Sequence, residues 1–189
     1  AAAVDDFAQQ LEADLLINCC GLATFAQALS LSEAAENALW QVNYQAPIRL
    51  MRQIVERNHK IRLVQLSSLA ALCPHPYLAA YSASKAALQT YCLALQEELR
   101  LKGSEMTVYL YILGPVRTSI FPPELQDALG GAKLQMSPET VARRIIRLLQ
   151  QGRSYAIVGK RYRLLAWLMK LLPQRWIIRW IGAYLRKGL

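Results

Sequence analysis

Tyr81 and Lys85 stand four residues apart in the stretch Tyr81-Ser82-Ala83-Ser84-Lys85. On a helix this spacing sets a phenol and an ammonium group one turn apart, with only small residues between them. A phenol with the ordinary pKa of about 10 exchanges protons poorly at neutral pH. A nearby positive charge favours its ionised form and brings it closer to the working range. Such a pair can pass a proton to an oxygen that gains charge during a reaction. Alone, it fits a solvated helix face equally well, so its neighbours must decide. Ser68 ends an apolar run thirteen residues before Tyr81, and Asn43 lies earlier, within Val42-Asn43-Tyr44-Gln45-Ala46-Pro47. Gly114-Pro115-Val116-Arg117-Thr118 follows a further apolar run.

The elements that position these residues alternate in type. Residues 13–18 (ADLLIN) form a short apolar run closed by Cys19-Cys20-Gly21. Residues 32–58 carry a helical pattern with Leu39, Val42, Ala46, Leu50 and Ile54 on one face. Residues 61–68 (IRLVQLSS) read as a buried strand, and a helix follows over 79–102, stopped by Gly103. Residues 106–113 (MTVYLYIL) are another strand, and 114–136 are irregular. Ser137 caps a new helix with Pro138 at its first position, where a missing amide costs nothing. Residues 154–159 (SYAIVG) are the last strand. Strands alternating with crossover helices predict an α/β fold with a parallel, doubly wound sheet. Ligands of such sheets bind beyond the carboxyl ends of the strands. Asn18, Ser67, Ser68 and Gly114–Thr118 all fall at such ends.

With these elements in place, residues 13–160 resemble the short-chain dehydrogenase/reductase family. The shared marks are Asn-x-x-Gly after a strand, a helical Asn, a Ser, Tyr-x-x-x-Lys, and a Gly-Pro turn ending in Thr, in the family's order and spacing. The resemblance implies a Rossmann-like fold and an NAD(P)-dependent oxidoreductase that interconverts a carbonyl and an alcohol, on a hydrophobic or lipid-like substrate. NADPH is favoured over NADH. Tyr81 would be the acid/base, Lys85 its electrostatic partner and a ligand of the nicotinamide ribose, and Ser68 the group that holds the substrate oxygen. Asn43 would hold a water in a proton relay to Lys85. It could instead be a helix-interior side chain that caps a local kink. Ser67 is the rival of Ser68, and the thirteen-residue interval to Tyr81 selects Ser68. Gly114, Pro115, Val116 and Thr118 would contact the cofactor, while Asn18 and Gly21 would lie near its adenosine side. A homodimer or homotetramer built on the helices of 32–58 and 79–102 is implied as well.

This sequence also departs from the family. Cys19 and Cys20 replace the usual Asn and Ala, and read as small buried residues. Leu113 stands where Pro is usual, which leaves the turn after it looser. His75, between Pro74 and Pro76, belongs to a loop at the substrate mouth, and His59 reads as a surface residue. No Gly-x-x-x-Gly-x-Gly is present, so the first strands and the glycine-rich turn that meets a pyrophosphate are absent. The chain starts at Ala1. The expectation is that roughly sixty residues or more precede it, and the part present is the C-terminal two-thirds of the fold. A sugar-nucleotide epimerase is a rival enzyme, opposed by the short length after Lys85. A catalytically inert membrane-associated or binding protein on the same scaffold is the alternative from another class.

The charge is divided unevenly. Of 22 Lys/Arg and 13 Asp/Glu, residues 1–139 hold ten of the former and all of the latter, while 140–189 hold twelve cations and no acid. The expected division is a partial Rossmann-like catalytic domain over 1–159 and a basic amphipathic extension over 160–189. The extension holds Trp167, Trp176 and Trp180, and Pro173 divides it into two short helices. It suits an anionic membrane surface, or a lid or subunit contact. Bulky apolar residues alternating with the cations argue against nucleic acid. Four cysteines without Cys-x-x-Cys spacing and two histidines argue against a metal site and a disulfide framework. A reducing, cytoplasmic location follows, with peripheral contact on the inner face of a membrane.

Overall fold

The computed structural model describes residues 2–57, 60–121 and 134–186. His59, part of the irregular stretch 114–136 and the end of the tail lie outside the described residues. Four parallel strands, β1 (Leu15–Asn18), β2 (Arg62–Ser68), β3 (Thr107–Leu113) and β4 (Tyr155–Val158), form one sheet in the order β1-β2-β3-β4. The helices are α1 (Ala2–Gln10), α2 (Glu33–Trp40), α3 (Ala46–Glu56), α4 (Ala79–Leu101), α5 (Pro138–Gln150), α6 (Lys160–Leu171) and α7 (Gln174–Leu185).

Alternate residues of the strands point to opposite faces, and both faces are covered. On one face Leu63, Val108 and Leu110 pack with Ala8 of α1, Met51 and Ile54 of α3, and Leu88 and Cys92 of α4. On the other, Val64, Tyr109, Tyr111 and Val158 pack with Val141 and Ile145 of α5 and Ala166 of α6. This is the α/β, Rossmann-like parallel sheet that the alternating pattern predicts. Ser137 Oγ accepts from Thr140 N at 3.2 Å, so α5 starts at the expected cap. Ser32 caps α2 in the same way, from Ala35 N at 3.3 Å.

Ser68 pairs with Leu113, and Leu113 with Val158. The segments that follow β2, β3 and β4 therefore leave the sheet at one level, and that level holds the site. β1 pairs with β2 on one side, and among the described residues no strand lies on its other side. Leu15 and Ile17 there are 37% and 36% exposed.

Two features differ from the sequence reading. The helix expected over 32–58 is divided by a π-helical turn, Gln41–Gln45, with Asn43 at its centre. An extra residue in a turn is a common way to re-aim a side chain at a functional position. The helix α1 was not anticipated, because its nine residues show no strong apolar stripe. Ala8 buries against the α3 layer, and Asp5 forms an ion pair with Arg49.

Candidate active site

A cavity of about 1210 Å³ opens beyond the carboxyl ends of the strands. Its floor is polar. Tyr81, in the first turn of α4, is 7% exposed, and its phenol lies near the Ser68 hydroxyl at the end of β2. Ser68 Oγ also accepts from Ala70 N at 3.2 Å, which caps the short turn after the strand and fixes the hydroxyl. Ser67 is committed elsewhere: its hydroxyl donates to the Lys85 carbonyl at 3.3 Å. Lys85, one turn after Tyr81, is 5% exposed, and its Nζ donates to the Leu66 carbonyl at 3.1 Å. The parallel pairing of β2 with β3 and the packing of α4 on the sheet bring these groups to one wall.

Asn43 is fully buried and ties this wall to the loop after β1. Its Nδ2 donates to the Leu22 carbonyl at 2.8 Å and to Ser84 Oγ at 3.1 Å, while Oδ1 accepts from Leu22 N at 2.8 Å. Ser84 in turn donates to the Tyr81 carbonyl at 2.8 Å. A Cβ built on Gly21 would lie 3.6 Å from both Asn43 Oδ1 and Lys85 Nζ, so Gly21 is held between the two groups. One lone pair of Oδ1 is left for a water. Asn18 is not among the residues around the cavity. Its Nδ2 donates to Gln65 Oε1 at 2.8 Å and its Oδ1 accepts from Cys20 N at 3.0 Å, which shapes the turn that carries Cys19, Cys20 and Gly21 to the cavity. Both thiols are exposed rather than buried as the sequence suggested, because β1 ends at the open rim of the sheet.

The turn after β3 forms another wall, with Gly114, Pro115, Val116 and Thr118 on the cavity. Leu113 does not leave it loose. Met136 N donates to the Pro115 carbonyl and Arg117 N to the Met136 carbonyl, both at 2.9 Å. The Tyr162 ring of α6 lies against Gly114, where any Cβ would stand 2.5 Å from its carbons. Only glycine permits that approach. Tyr162 is buried, and its hydroxyl bonds the Leu134 carbonyl. Gly159, with φ +107°, makes the turn from β4 into α6.

The remaining wall comes from the tail. Ile177, Ile181 and Leu185 of α7 share a buried cluster with Tyr81, Leu78 and Ala70. A Cβ on Gly182 would lie 3.2 Å from Pro76 Cγ, so α7 rests on the loop that holds His75. A lid over the domain was one of the readings that the sequence left open for the tail, but the face that packs, Tyr162 and Ser84 were not identified. The i, i+4 spacing of Ile177, Ile181 and Leu185 was the available sign of a buried face.

Burial governs titration here. It raises the Tyr81 phenol above its ordinary value, with the Ser68 hydroxyl opposing. It pushes Lys85 down to about 8, with Cys20 and Cys92 opposing. The sequence reading has the ammonium lowering the phenol; here burial is the largest influence on it and raises it. His75 lines the cavity, is lowered by burial, and has Nδ1 2.7 Å from the Cys73 carbonyl.

Comparison with known proteins bears on the family and the fold. The family profile described as short chain dehydrogenase matches residues 1–128. The chain belongs to the short-chain dehydrogenase family. A curated relative, an NADPH-dependent 1-acyldihydroxyacetone phosphate reductase of Saccharomyces cerevisiae, is 34% identical over 109 residues, 57% of this chain and 36% of its own. The chain spans about a third of the length of the first curated relatives it matches. A Burkholderia cenocepacia short chain dehydrogenase solved with NADP superposes with a TM-score of 0.73 at 22% identity, over 89% of this chain and 69% of that one. A Burkholderia phymatum member solved with NAD gives 0.76 at 19% identity, over 89% and 71%. These two likenesses concern the fold.

The residues of this short-chain dehydrogenase could hold a nicotinamide group. Lys85 lines the cavity, and one of its three N–H donors is engaged with Leu66. Gly21 puts no side chain beside it, and the Gly114–Thr118 segment borders the same volume. Among the described residues no group of acidic, histidine or cysteine side chains could hold a metal ion.

Proposed function

We propose that this short-chain dehydrogenase interconverts a carbonyl and an alcohol on an apolar, lipid-like substrate, using NADP(H) in preference to NAD(H). The observation that carries the reading is a cavity in which Ser68, Tyr81 and Lys85 share one wall and face walls of hydrocarbon. Its volume of about 1210 Å³ exceeds the range of roughly 300–1,000 Å³ for drug-sized ligands. That leaves room for an extended substrate beside a cofactor.

The bound nicotinamide supplies or accepts the hydride. The chain's own residues do the rest. Ser68 Oγ holds the substrate oxygen and fixes its distance from the Tyr81 hydroxyl. Tyr81 gives its proton to that oxygen as charge grows on it, and takes it back in the reverse direction. Lys85 stabilises the phenolate left behind and binds the ribose hydroxyls. Asn43 keeps Gly21 and Leu22 against Lys85 and places a water on its remaining lone pair. Gly114, Pro115, Val116 and Thr118 would hold the nicotinamide side of the cofactor, with Gly21, on the turn that Asn18 shapes, toward the adenosine. The relative named an NADPH-dependent reductase supports both the cofactor form and the substrate class.

The reading includes self-association as a dimer or tetramer through the outer faces of α3 and α4, where Val55 and Leu93 are exposed. It also includes a cytoplasmic protein, with residues 160–189 in peripheral contact with a membrane. Among the described residues no helix is long and apolar enough to cross one. The test is oxidation of NADPH and NADH by the purified protein at its native length, with aldehydes and ketones of rising chain length. Carbonyl-dependent oxidation, faster with NADPH, is the expected result. No oxidation with any carbonyl, in a sample that binds NADPH, would overturn the assignment.

A further inference from the structure

The helices α6 and α7 have two apolar surfaces, and the two are continuous. Inward, Ile177, Ile181 and Leu185 are buried against Tyr81. Outward, Leu164, Trp167 and Leu171 are 58%, 56% and 61% exposed. Five residues belong to both. Leu165, Leu168, Leu172, Trp176 and Trp180 line the cavity, yet are 39%, 41%, 52%, 67% and 67% exposed. They mark where the cavity reaches the surface. Hydrocarbon thus runs from the Tyr81 wall, through this mouth, to the outside of the hairpin.

A patch of this kind implies a partner. The surrounding charge selects it. Lys160, Arg163, Lys170, Arg175, Arg179 and Arg186 are exposed on the same two helices, and no acid occurs from residue 140 to the end of the chain. A second copy would bring like charge to like. An anionic bilayer is complementary in both respects: phosphates for the cations and an acyl interior for the tryptophans. Pro173 bends the segment so that Trp167 and Trp176 belong to different helices, and neither helix is long enough to span.

We propose that the α6–α7 hairpin docks on an anionic lipid bilayer with the cavity mouth at Leu172, Trp176 and Trp180 facing the acyl region, so that the apolar ligand enters from the membrane rather than from water. The identity of that ligand as a carbonyl substrate rests on the proposed function; docking and orientation do not.

The experiment uses the full chain and two kinds of vesicle, phosphatidylcholine alone and phosphatidylcholine with phosphatidylserine. Flotation with the anionic vesicles is expected, falling as salt rises. Arg175→Gln and Arg179→Gln should each lower vesicle affinity about fivefold. Lipids brominated on the acyl chain should quench Trp176 and Trp180, read in variants that retain one hairpin tryptophan at a time. These readouts need no turnover, so they remain informative if the enzyme proves inactive on every carbonyl tried. Absence of flotation would overturn the proposal, and so would equal flotation on neutral vesicles. Quenching of Trp167 without Trp176 and Trp180 would overturn the orientation. Self-association through the hairpin that vesicles do not disperse would assign the face to a second copy instead.

Discussion

The two sides of the cavity are built on opposite physical principles. The Ser68–Tyr81–Lys85 side is a set of polar groups whose positions are fixed by hydrogen bonds to the backbone: Lys85 to Leu66, Ser84 to Tyr81, and Asn43 to Leu22 in both directions. The α6–α7 side is shape and hydrocarbon, held by the burial of Ile177, Ile181 and Leu185. Polar geometry tolerates little displacement, since a misplaced buried donor is left unpaired. Apolar burial is non-directional and tolerates many sequences. One side should therefore set the rate of a reaction, and the other what is allowed to undergo it.

The largest effect that could break this division comes from Tyr81→Phe. It removes one hydroxyl from a buried ring and leaves the packing of α7 on that ring intact. Turnover should fall about a hundredfold to ten-thousandfold, the usual worth of a positioned acid/base. NADPH affinity, measured by fluorescence titration, should stay within a few-fold. Near-normal turnover would remove Tyr81 from the chemistry.

Lys85 sharpens the comparison through pH. Its folded value of about 8 lies below the unfolded value of 10.5. The unfolded chain therefore holds more protons between those limits, and this group adds stability as pH rises through them. Relative to Lys85→Met, the wild type should gain up to about 3 kcal/mol between pH 7 and pH 10.5, measured by urea unfolding. NADPH affinity of the wild type should move the other way, weakening above about pH 8 as the ammonium is lost. Cofactor binding that is flat across pH 7–10 would contradict a ribose contact by the charged lysine.

Asn43→Ala should cost about 2 kcal/mol, because it leaves the Leu22 N–H and carbonyl without partners inside the protein. The same variant should weaken NADPH, since Gly21 is no longer held beside Lys85. A loss of stability with unchanged cofactor affinity would restrict Asn43 to holding the π-helical turn together.

The contrast also explains what could be read from the sequence. That Ser68, Tyr81, Lys85 and the Gly114 turn meet on one cavity was legible because their residue types recur at fixed separations at strand ends and in the first turn of a helix. The parallel sheet was legible because both of its faces are covered and its strands read as apolar runs. Asn43 was found, but not the Leu22 and Ser84 bonds that occupy most of its amide, because backbone partners leave no mark in a sequence. The packing of Tyr162 on Gly114 joins residues 48 positions apart, and glycine alone does not say what approaches it. The tail was legible as two amphipathic helices around Pro173. Its inward face was not, because a buried Ile and a membrane-facing Ile obey the same spacing.

The smallest effect per step is also the most direct test of one cavity with a reacting end and a hydrocarbon end. It is kcat/KM of the native-length protein for straight-chain aldehydes of increasing length, with NADPH saturating. Each methylene that moves from water onto the α6–α7 wall is worth about 0.8 kcal/mol, so kcat/KM should rise roughly fourfold per carbon until the cavity is filled. Tyr81→Phe should lower the whole series by a common factor without changing its slope. A series that is flat with chain length, or that falls, would contradict the account.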